Sequence, residues 1–366
     1  MKNIKNLANL HVFFIGIGGI SMSGLAKMCL SQGAKVSGSD EGESPQLQEL
    51  ESLGVAVCHK HNATNILKDI DIVVYTVAIR LDNPELLAAK ALGLKIYERA
   101  EFLGKIASKY KNVISISGTH GKTTTTAMIG EIFARAGRNP TIHIGGKSIN
   151  LQDTTIIGER DYFIVEACEY KNSFRFIKST TALITNVELD HVDYYKDYNH
   201  ILSCFRAFAC KSQQIILDME LDIRHKSRID IGKDYRVVNI KYNNLGYDFD
   251  VLQYDNFYAH FRLNLLGEHN VHNALYAIAT GIQYDIPKDT IIEAISQFKG
   301  VERRYENIGN IGKTPIIIDY AHHPSEIASS IKGILDVFRS PLFIFQPHTY
   351  TRTLALFNDF VSVLSR

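Results

Sequence analysis

The sequence predicts an α/β protein built around parallel sheets. Its 366 residues are enough for two or three domains. Strand-like apolar segments alternate with helix-like segments along most of the chain, which is the pattern of parallel strands joined by right-handed crossovers. Glycine-rich turns follow two of these strands, at the positions where open α/β sheets bind their ligands.

Residues 1–108 are predicted to form a Rossmann-like N-terminal domain. Its strands are HVFFIG, KVSGSD, DIVVYT and KIYE, and its helices are SMSGLAKMCLSQG, SPQLQELESLG and NPELLAAKALG. Gly33 and Gly54 are placed to end the first two helices.

Residues 109–301 are predicted to form a central P-loop domain with a parallel sheet. The strand NVISIS leads into a Gly/Thr-rich turn and a helix from Lys122 to about Ala136, and the strands DYFIVEA, TALITNV and QQIILD follow. Between about Ile223 and Leu266 an alternating, aromatic-rich pattern predicts antiparallel strands, at an edge of the second sheet or inserted in it. The segments EHNVHNALYAIATGIQY and KDTIIEAISQF predict two helices.

Residues 302–366 are predicted to form a partial Rossmann-like C-terminal domain. PIIIDYAHH begins a strand–helix alternation, which PLFIFQPH continues as a strand before a last helical stretch. Since a typical domain has about 100–150 residues, we expect this one to be incomplete, with an unpaired sheet edge.

The composition excludes several classes of protein. With 40 Lys and Arg against 39 Asp and Glu the net charge is +1, so binding to nucleic acid through overall charge is not expected. No apolar run approaches the ~20 residues of a membrane span. Lys2 and Lys5 precede an apolar stretch, as in a signal peptide, but that stretch is short, rich in glycine and lacks a nearby cleavage motif. Five cysteines without a CxxC pair indicate a reducing compartment, so a cytoplasmic protein is expected.

The strongest motif is the turn SGTHGKTT between a strand and a helix. Backbone N–H groups of such a turn bind phosphate, its lysine reaches the terminal phosphates, and the hydroxyl after the lysine binds Mg²⁺. Ile116 stands where the standard P-loop has its first glycine, and the alternative is an ordinary helix start. The candidate nucleotide-binding residues are Gly118, Thr119, His120, Gly121, Lys122, Thr123 and Thr124.

A second glycine-rich turn, GIGGIS, follows the first strand. It can hold a diphosphate at the start of a helix, but the turn alone does not distinguish NAD from another diphosphate or from a simple strand–helix turn. The candidate residues are Gly16, Gly18, Gly19, Ile20, Ser21 and Asp40.

Further polar residues lie at the carboxyl ends of predicted strands. Glu166 and His191 are candidate ligands for Mg²⁺, and the alternative is that they are solvated loop residues.

His269, Asn270 and Asn273 open a helix, where an Asn amide can pair with an adenine edge or simply cap the helix. Arg352 can grip a carboxylate or phosphate. The neighbours His322 and His323 suggest a metal site, but adjacent residues on a turn rarely point the same way.

These motifs, in this order, resemble those of the Mur ligases from Leu10 to the end of the chain. The matching segments are IGIGGISMSGLA, TVAIRLDNPE, RAEFL, SGTHGKTTTT, ITNVELDHVDYY, GEHNVHNALYA, FKGVERRYE, DYAHHPSEI and FQPHTYTRT. The resemblance implies three domains and an ATP-dependent ligation. L-alanine would be joined to UDP-N-acetylmuramate through an acyl phosphate, in peptidoglycan precursor synthesis. It also implies that the first glycine turn holds a UDP sugar rather than NAD.

The resemblance also implies roles for individual residues. Lys122 and Mg²⁺ held by Thr123 and Glu166 would stabilise the transferring phosphate, and His191 would hold a second Mg²⁺. Adenine would be recognised by His269, Asn270 and Asn273, and the ribose would contact Asp319. The incoming amino acid would lie beside His348 and Arg352.

Two departures from the family pattern leave alternatives open. Many members of the family have a more acidic segment where this chain has Glu166-Ala167-Cys168-Glu169-Tyr170-Lys171. Only Glu166 therefore keeps a ligand role that matches the family. Thr349 stands where the family usually has an arginine. An alternative function therefore stays open, that of a ligase that attaches a preformed peptide to the same UDP sugar in cell-wall recycling. A nicotinamide-dependent oxidoreductase and a non-enzymatic ATP-dependent scaffold are competing classes. With the short C-terminal domain, we expect this chain to bind nucleotide and to ligate poorly.

Overall fold

The computed structural model describes residues 6–243, 246–335 and 337–365. Within them the chain forms two large sheets in succession and then a small antiparallel pair of strands. Lys2 and Lys5, on which the comparison with a signal peptide depended, lie outside these residues. No helix in the described part of the chain is both long and apolar enough to span a membrane.

The first sheet is parallel throughout, with strand order β3-β2-β1-β4-β5 in the described residues. Its strands are β1 (His11–Ile15), β2 (Lys35–Ser39), β3 (Ala56–Cys58), β4 (Ile72–Tyr75) and β5 (Lys95–Glu98), and its helices are α1 (Ile20–Ser31), α2 (Pro45–Ser52), α3 (Pro84–Ala91) and α4 (Arg99–Ala107). The strand order reverses between β1 and β4, which places a ligand crevice after β1. The Rossmann-like prediction is confirmed, although the three-residue strand β3 was not predicted.

Local sequence explains where these helices begin. The Ser44 side chain accepts a hydrogen bond from the Leu47 backbone N–H at 3.2 Å, and Pro45 occupies the first position of α2. The Asn83 side chain caps α3 in the same way.

The second sheet is parallel at its centre and antiparallel at both edges, with order β15-β14-β13-β12-β11-β10-β6-β9-β7-β8 among the described strands. The predicted antiparallel segment is confirmed as an edge of this sheet, formed by β13 to β15. The strands are β6 (Asn112–Ser117), β7 (Pro140–His143), β8 (Thr155–Ile156), β9 (Glu159–Glu166), β10 (Thr181–Ile184), β11 (Gln214–Asp218), β12 (Arg228–Ile231), β13 (Tyr235–Asn243), β14 (Gly246–Gln253) and β15 (Asn256–Leu263).

Helices cover both faces of the second sheet's parallel core. They are α5 (Lys122–Arg135), α6 (Tyr198–Cys210), α7 (His269–Gln283) and α8 (Lys288–Ser296), with a short 3₁₀ turn at Tyr170–Phe176; another 3₁₀ turn, Ala63–Asn65, lies between β3 and β4 of the first sheet. The helices predicted from residue 122 and from the two segments after β15 are confirmed. The parallel strands β6, β9 and β10 lie side by side, so their carboxyl ends open on one crevice.

The C-terminal segment (residues 302–365) differs in part from the prediction. It contains the antiparallel pair β16 (Glu306–Ile311) and β17 (Thr314–Ile318), followed by α9 (Pro324–Leu335), α10 (Tyr350–Ala355) and α11 (Phe357–Leu364). The strand predicted at PLFIFQPH is wrong, because residues 341–348 are irregular. Leu342 and Ile344 are 87% and 91% exposed, and no described strand pairs with this stretch to satisfy its backbone groups. The domain limits after residues 108 and 301 stay a prediction.

A close contact joins α4 to the second sheet's loops and is open to test. A Cβ atom built on Gly104 would overlap the carbonyl oxygen of Phe176. Alanine favours a helix by about 1 kcal/mol over glycine, but a clash with backbone cannot be relieved by a side-chain rotation. We therefore expect Gly104→Ala to destabilise the protein by about 2 kcal/mol, measured by urea unfolding. In the control Gly42→Ala the new Cβ would lie 3.5 Å from its nearest neighbour, so a similar loss there would contradict this account.

Candidate functional site

The Thr/Gly turn (residues 118–121) connects β6 to α5, as predicted. Gly118 and Gly121 have φ values of 138° and 81°, which favour glycine. A side chain at Gly118 would overlap Thr185, and one at Gly121 would overlap Asn273. The turn is therefore held against the end of β10 on one side and the start of α7 on the other.

Lys122 is folded back over this turn. Its Nζ donates hydrogen bonds to the carbonyl oxygens of Gly118 at 2.6 Å and Thr119 at 3.0 Å, and it lies 3.0 Å from the Glu169 carboxylate. Burial by itself would lower the pKa of Lys122, but the attraction of Glu169, assisted by its neighbours, outweighs burial and raises the pKa. The lysine stays charged, with its ammonium group at the mouth of the turn.

Glu169 is a central residue of the site that sequence reasoning did not select. It is 1% exposed, contacts Lys122, and lies 3.4 Å from Nε2 of His191. Burial would raise its pKa, yet the charge of Lys122 and the hydrogen bond from His191 keep the pKa of Glu169 below its usual value. The sequence signal was present, since Glu169 follows Glu166 at the end of β9. Only the fold shows that this second carboxylate turns inward.

Glu166 and Thr123 are brought together by the segment after β7. The backbone N–H of Gly145 donates to the Glu166 carboxylate at 2.8 Å, and a Cβ on Gly146 would lie 3.3 Å from the Thr123 methyl group. A Cβ on Gly145 would come within 3.0 Å of the same carboxylate, so glycine is needed for this close approach. A hydroxyl and a carboxylate beside a phosphate-binding turn are oxygen ligands that suit Mg²⁺.

His191 and Arg352 meet at Asp190. The Asp190 carboxylate accepts a hydrogen bond from the His191 backbone N–H at 2.6 Å, and Nε of Arg352 lies 3.4 Å from the same oxygen. The Arg352 and Asp190 side chains are only 11% and 7% exposed. The residue predicted to bind the amino acid thus lies next to a predicted metal ligand. His348 is exposed, and its ring centre is 6.2 Å from that of His322.

A cleft of about 240 Å³ separates the Thr/Gly turn from the C-terminal segment. Of the residues predicted to bind ATP, Gly118, Thr119 and Lys122 do not line it. Asn273 donates to the Asn270 side chain at 3.1 Å, and Asn270 donates to the Leu266 carbonyl at 2.7 Å, so both amides have defined orientations. The cleft brings together most of the residues predicted to bind ATP, namely His120, Gly121, Thr123, Thr124, His269, Asn270, Asn273 and Asp319.

Other residues of the cleft were not predicted from the sequence. His272, Arg304, Tyr305 and Glu326 also line it. Asp319 accepts hydrogen bonds from the backbone N–H groups of Tyr305 at 3.0 Å and Ala321 at 2.6 Å. These positions come from three separate elements, so no local motif identifies them.

The N-terminal glycine turn (residues 16–19) is stabilised by Asp40. Gly16 has a φ of 82°, and the backbone N–H of Gly18 donates to the Asp40 carboxylate at 2.8 Å. Gly19 and Ile20 are exposed at the carboxyl end of β1. Asp40 therefore shapes this turn from within.

Ser21 connects the N-terminal glycine turn to the second sheet. Its hydroxyl lies 2.8 Å from Nε2 of His143, the last residue of β7, and accepts a hydrogen bond from Arg99 at 3.1 Å. Gly145, which binds Glu166, follows His143 by two residues. A short run of contacts thus leads from the N-terminal glycine turn to the Thr/Gly turn. Arg99 and His143 were not predicted as part of the site.

Cys168 adjoins the site, and its surroundings disfavour the reactive thiolate. Burial, and next the charge of Glu169, raise the pKa of its thiol to about 11. This agrees with the interpretation of the five cysteines as ordinary residues, and all five are free thiols in the structure.

Two family sequence models match this chain. The model described as Mur ligase family, catalytic domain, matches residues 11–111, and the Mur ligase middle domain matches residues 116–281. A UDP-N-acetylmuramate–L-alanine ligase of Clostridium novyi is 40% identical over an alignment of 371 positions, which covers 98% of this chain and 81% of that protein. The chain belongs to the Mur ligase family.

Solved structures of Mur ligases have the same fold. The UDP-N-acetylmuramate-alanine ligase of Thermotoga maritima superposes with a TM-score of 0.85 at 27% identity, over 97% of this chain and 83% of that one. A Neisseria meningitides ligase named for UDP-N-acetylmuramate and L-alanyl-gamma-D-glutamyl-meso-diaminopimelate gives a TM-score of 0.73, also at 27% identity, over 81% of this chain and all of that one. The α/β architecture predicted from the sequence is therefore confirmed as that of a Mur ligase.

The buried His143 makes the junction between the two sheets sensitive to pH. Burial, with Arg99 and Lys27 nearby, lowers its pKa to about 3, below the ~6.5 of an unfolded chain. As the pH falls through 6.5 the unfolded chain takes up a proton that the folded protein refuses, so stability is lost at about 1.4 kcal/mol per pH unit. Between pH 7 and pH 5 we expect the wild type to lose about 2 kcal/mol more than His143→Gln, as measured by urea unfolding. Parallel pH profiles would contradict this.

Proposed function

We propose that this Mur ligase joins L-alanine to UDP-N-acetylmuramate at the expense of ATP, through an acyl phosphate, in peptidoglycan precursor synthesis. The observation that carries the proposal is a chain of contacts beside the cleft behind the Thr/Gly turn. Lys122 contacts Glu169, Glu169 contacts His191, and Arg352 contacts Asp190, the residue before His191. The alanine ligases among its relatives, at about 40% identity over nearly the whole chain, support the choice of substrates.

The chemistry explains why a phosphate-binding turn is needed. A carboxylate is a poor electrophile, so its oxygen first attacks the terminal phosphorus of ATP and ADP leaves. The amine of the amino acid then attacks the acyl carbon, phosphate departs, and the amine loses a proton. The first step depends on position and charge more than on covalent assistance from the protein.

Lys122 supplies fixed positive charge for that first step. Its ammonium group is desolvated, charged and held at the turn by two carbonyl oxygens and Glu169. Thr123 and Glu166 would hold one Mg²⁺ and His191 a second, and the oxygen donors gathered by Gly145 and Gly146 fit this group. Bound Mg²⁺ neutralises phosphate charge.

The cleft suits the nucleoside end of ATP. Asn270 and Asn273 present oriented amides beside His269, which supports the proposal that these three residues recognise adenine. Asp319 lines the same cleft and is proposed to bind the ribose.

The N-terminal glycine turn is the proposed site of the UDP diphosphate. Gly19 and Ile20 are accessible there, and Arg99 adds positive charge at Ser21. For the incoming amino acid we propose Arg352 and His348. Because Arg352 is paired with Asp190, a substrate carboxylate must share or displace that partner. The free cysteines fit a cytoplasmic enzyme.

The first test traps the acyl phosphate without an amino acid. With ATP, Mg²⁺ and UDP-N-acetylmuramate, we expect hydroxylamine to give a hydroxamate and one ADP for each product. Lys122→Ala should lower this rate by roughly 100-fold or more, because the transferring phosphate loses a buried charge. The matched control Lys178→Ala, at an exposed position, should retain it. If Lys122→Ala kept its activity, the proposal that the Thr/Gly turn binds the phosphates of ATP would be wrong.

The second test concerns the acceptor. Product formation, followed by mass spectrometry, is expected with L-alanine and not with the tripeptide L-alanyl-γ-D-glutamyl-meso-diaminopimelate. The reverse preference would favour the recycling ligase that Thr349 left open. Calorimetry should detect binding of UDP-N-acetylmuramate but not of NAD, and the opposite result would point to an oxidoreductase.

A further inference from the structure

Three side chains converge at the edge of the cleft although the proposed reaction gives them no metal. They are His120 of the Thr/Gly turn, Glu188 just after β10, and His323 directly before α9. One ligand atom from each lies within 4.8 Å of the other two. The group joins the second sheet to the C-terminal segment.

Both imidazoles are oriented as metal ligands usually are. Nδ1 of His120 lies 3.1 Å from the Glu326 carboxylate, while its Nε2 lies 3.3 Å from Glu188 and 2.9 Å from the Ser325 hydroxyl, which a bound metal would replace as its partner. Nδ1 of His323 lies 2.8 Å from the Ser325 hydroxyl. Ligating histidines commonly use one ring nitrogen for the metal and fix the ring through the other, often with a carboxylate.

His323 gives a second, independent indication. The residue is only 8% exposed, and its buried Nε2 has no hydrogen-bond partner among the described residues. A buried polar atom without a partner is costly unless a ligand satisfies it. The nitrogen left without a partner belongs to a ring whose centre is 5.3 Å from that of His120.

We propose that His120, Glu188 and His323 form a binding site for a transition-metal ion, Zn²⁺ in particular. Two imidazoles and one carboxylate are a common donor set for Zn²⁺, and water can supply the fourth ligand. Mg²⁺ prefers oxygen ligands, so this site differs in chemistry from that of Thr123 and Glu166.

The distance between His120 and Glu188 fits a tetrahedral ion, whereas the three ligand atoms together lie only within 4.8 Å of one another, so the His323 ring must move closer. Zn–N and Zn–O bonds of about 2.0–2.1 Å place neighbouring ligand atoms about 3.3 Å apart. That equals the 3.3 Å between His120 and Glu188. Two imidazoles on one such ion have ring centres about 5 Å apart, close to the observed 5.3 Å. The remaining adjustment falls on His323, so the bound metal would draw the C-terminal segment toward the Thr/Gly turn.

The test titrates the whole chain with Zn²⁺ by calorimetry, in excess Mg²⁺ to fill the magnesium sites. Co²⁺ serves as a spectroscopic probe, since tetrahedral Co²⁺ absorbs visible light strongly. We expect one Zn²⁺ per chain. Each of His323→Ala and Glu188→Gln should weaken binding at least roughly tenfold and abolish the tetrahedral Co²⁺ spectrum. Glu188→Gln preserves shape, so it keeps the test informative if His323→Ala folds poorly.

Two further variants serve as controls. His322→Ala removes the neighbouring imidazole and should leave Zn²⁺ affinity unchanged. His191→Ala removes the proposed magnesium ligand and should leave the Co²⁺ spectrum intact. Equal affinity in the wild type, His323→Ala and Glu188→Gln, or loss of all Zn²⁺ binding in His191→Ala, would overturn the proposal. The cluster would then be an ion-paired contact of His120 with Glu188 and Glu326.

Discussion

The buried pair of Lys122 and Glu169 is the interaction on which the rest of the site depends. Removing both groups from water is costly, and their attraction, with further polar contacts of each group, offsets that cost. Lys122 finds two carbonyl oxygens of the Thr/Gly turn, and Glu169 finds His191. Removing one partner would leave an uncompensated buried charge and would lower the free energy of unfolding by about 3–5 kcal/mol. The pair therefore fixes the turn relative to the ends of β9 and β10 while keeping a cation ready for phosphate.

Among the described residues, polar contacts hold the C-terminal segment to this centre, and no residue after Val301 belongs to the buried apolar clusters of the two sheets. Arg352 reaches Asp190, and His120 reaches Glu326 at the start of α9. The first sheet is tied to the second differently, because Phe14 of β1 and Phe163 of β9 belong to one buried apolar cluster, and the ion pair of Lys27 with Asp153, 2.8 Å apart, adds to it. The polar interface of the C-terminal segment permits that segment to move relative to the rest. Such motion is what a ligase needs to bring an activated sugar acid, a nucleotide and an amine together in turn.

Local rules predicted the parts of the site that depend on local geometry. The glycine turns, Lys122 and the start of α7 each follow from a few adjacent residues. Glu169 did not, because its direction depends on the loop after β9, where Lys171 and Asn172 adopt φ values of 51° and 56°. The predicted strand at 341–348 failed for a related reason. Apolar composition indicates a strand only when a partner strand is available, and pairing is a long-range property of the fold.

The missing first glycine of the phosphate-binding turn has a structural explanation. Ile116 is fully buried as the penultimate residue of β6, so the turn is short and begins only at Gly118. Residues directly after the neighbouring strand β10 supply hydrogen bonds that hold this short turn in place. The Asn186 side chain accepts from the His120 N–H at 2.9 Å and donates to the His120 carbonyl at 3.1 Å, and Thr185 donates to that same carbonyl at 2.6 Å. Thr185 and Asn186 lie on the same loop as His191, the proposed Mg²⁺ ligand. Hydrogen bonds therefore join the Thr/Gly turn directly to the loop that carries His191.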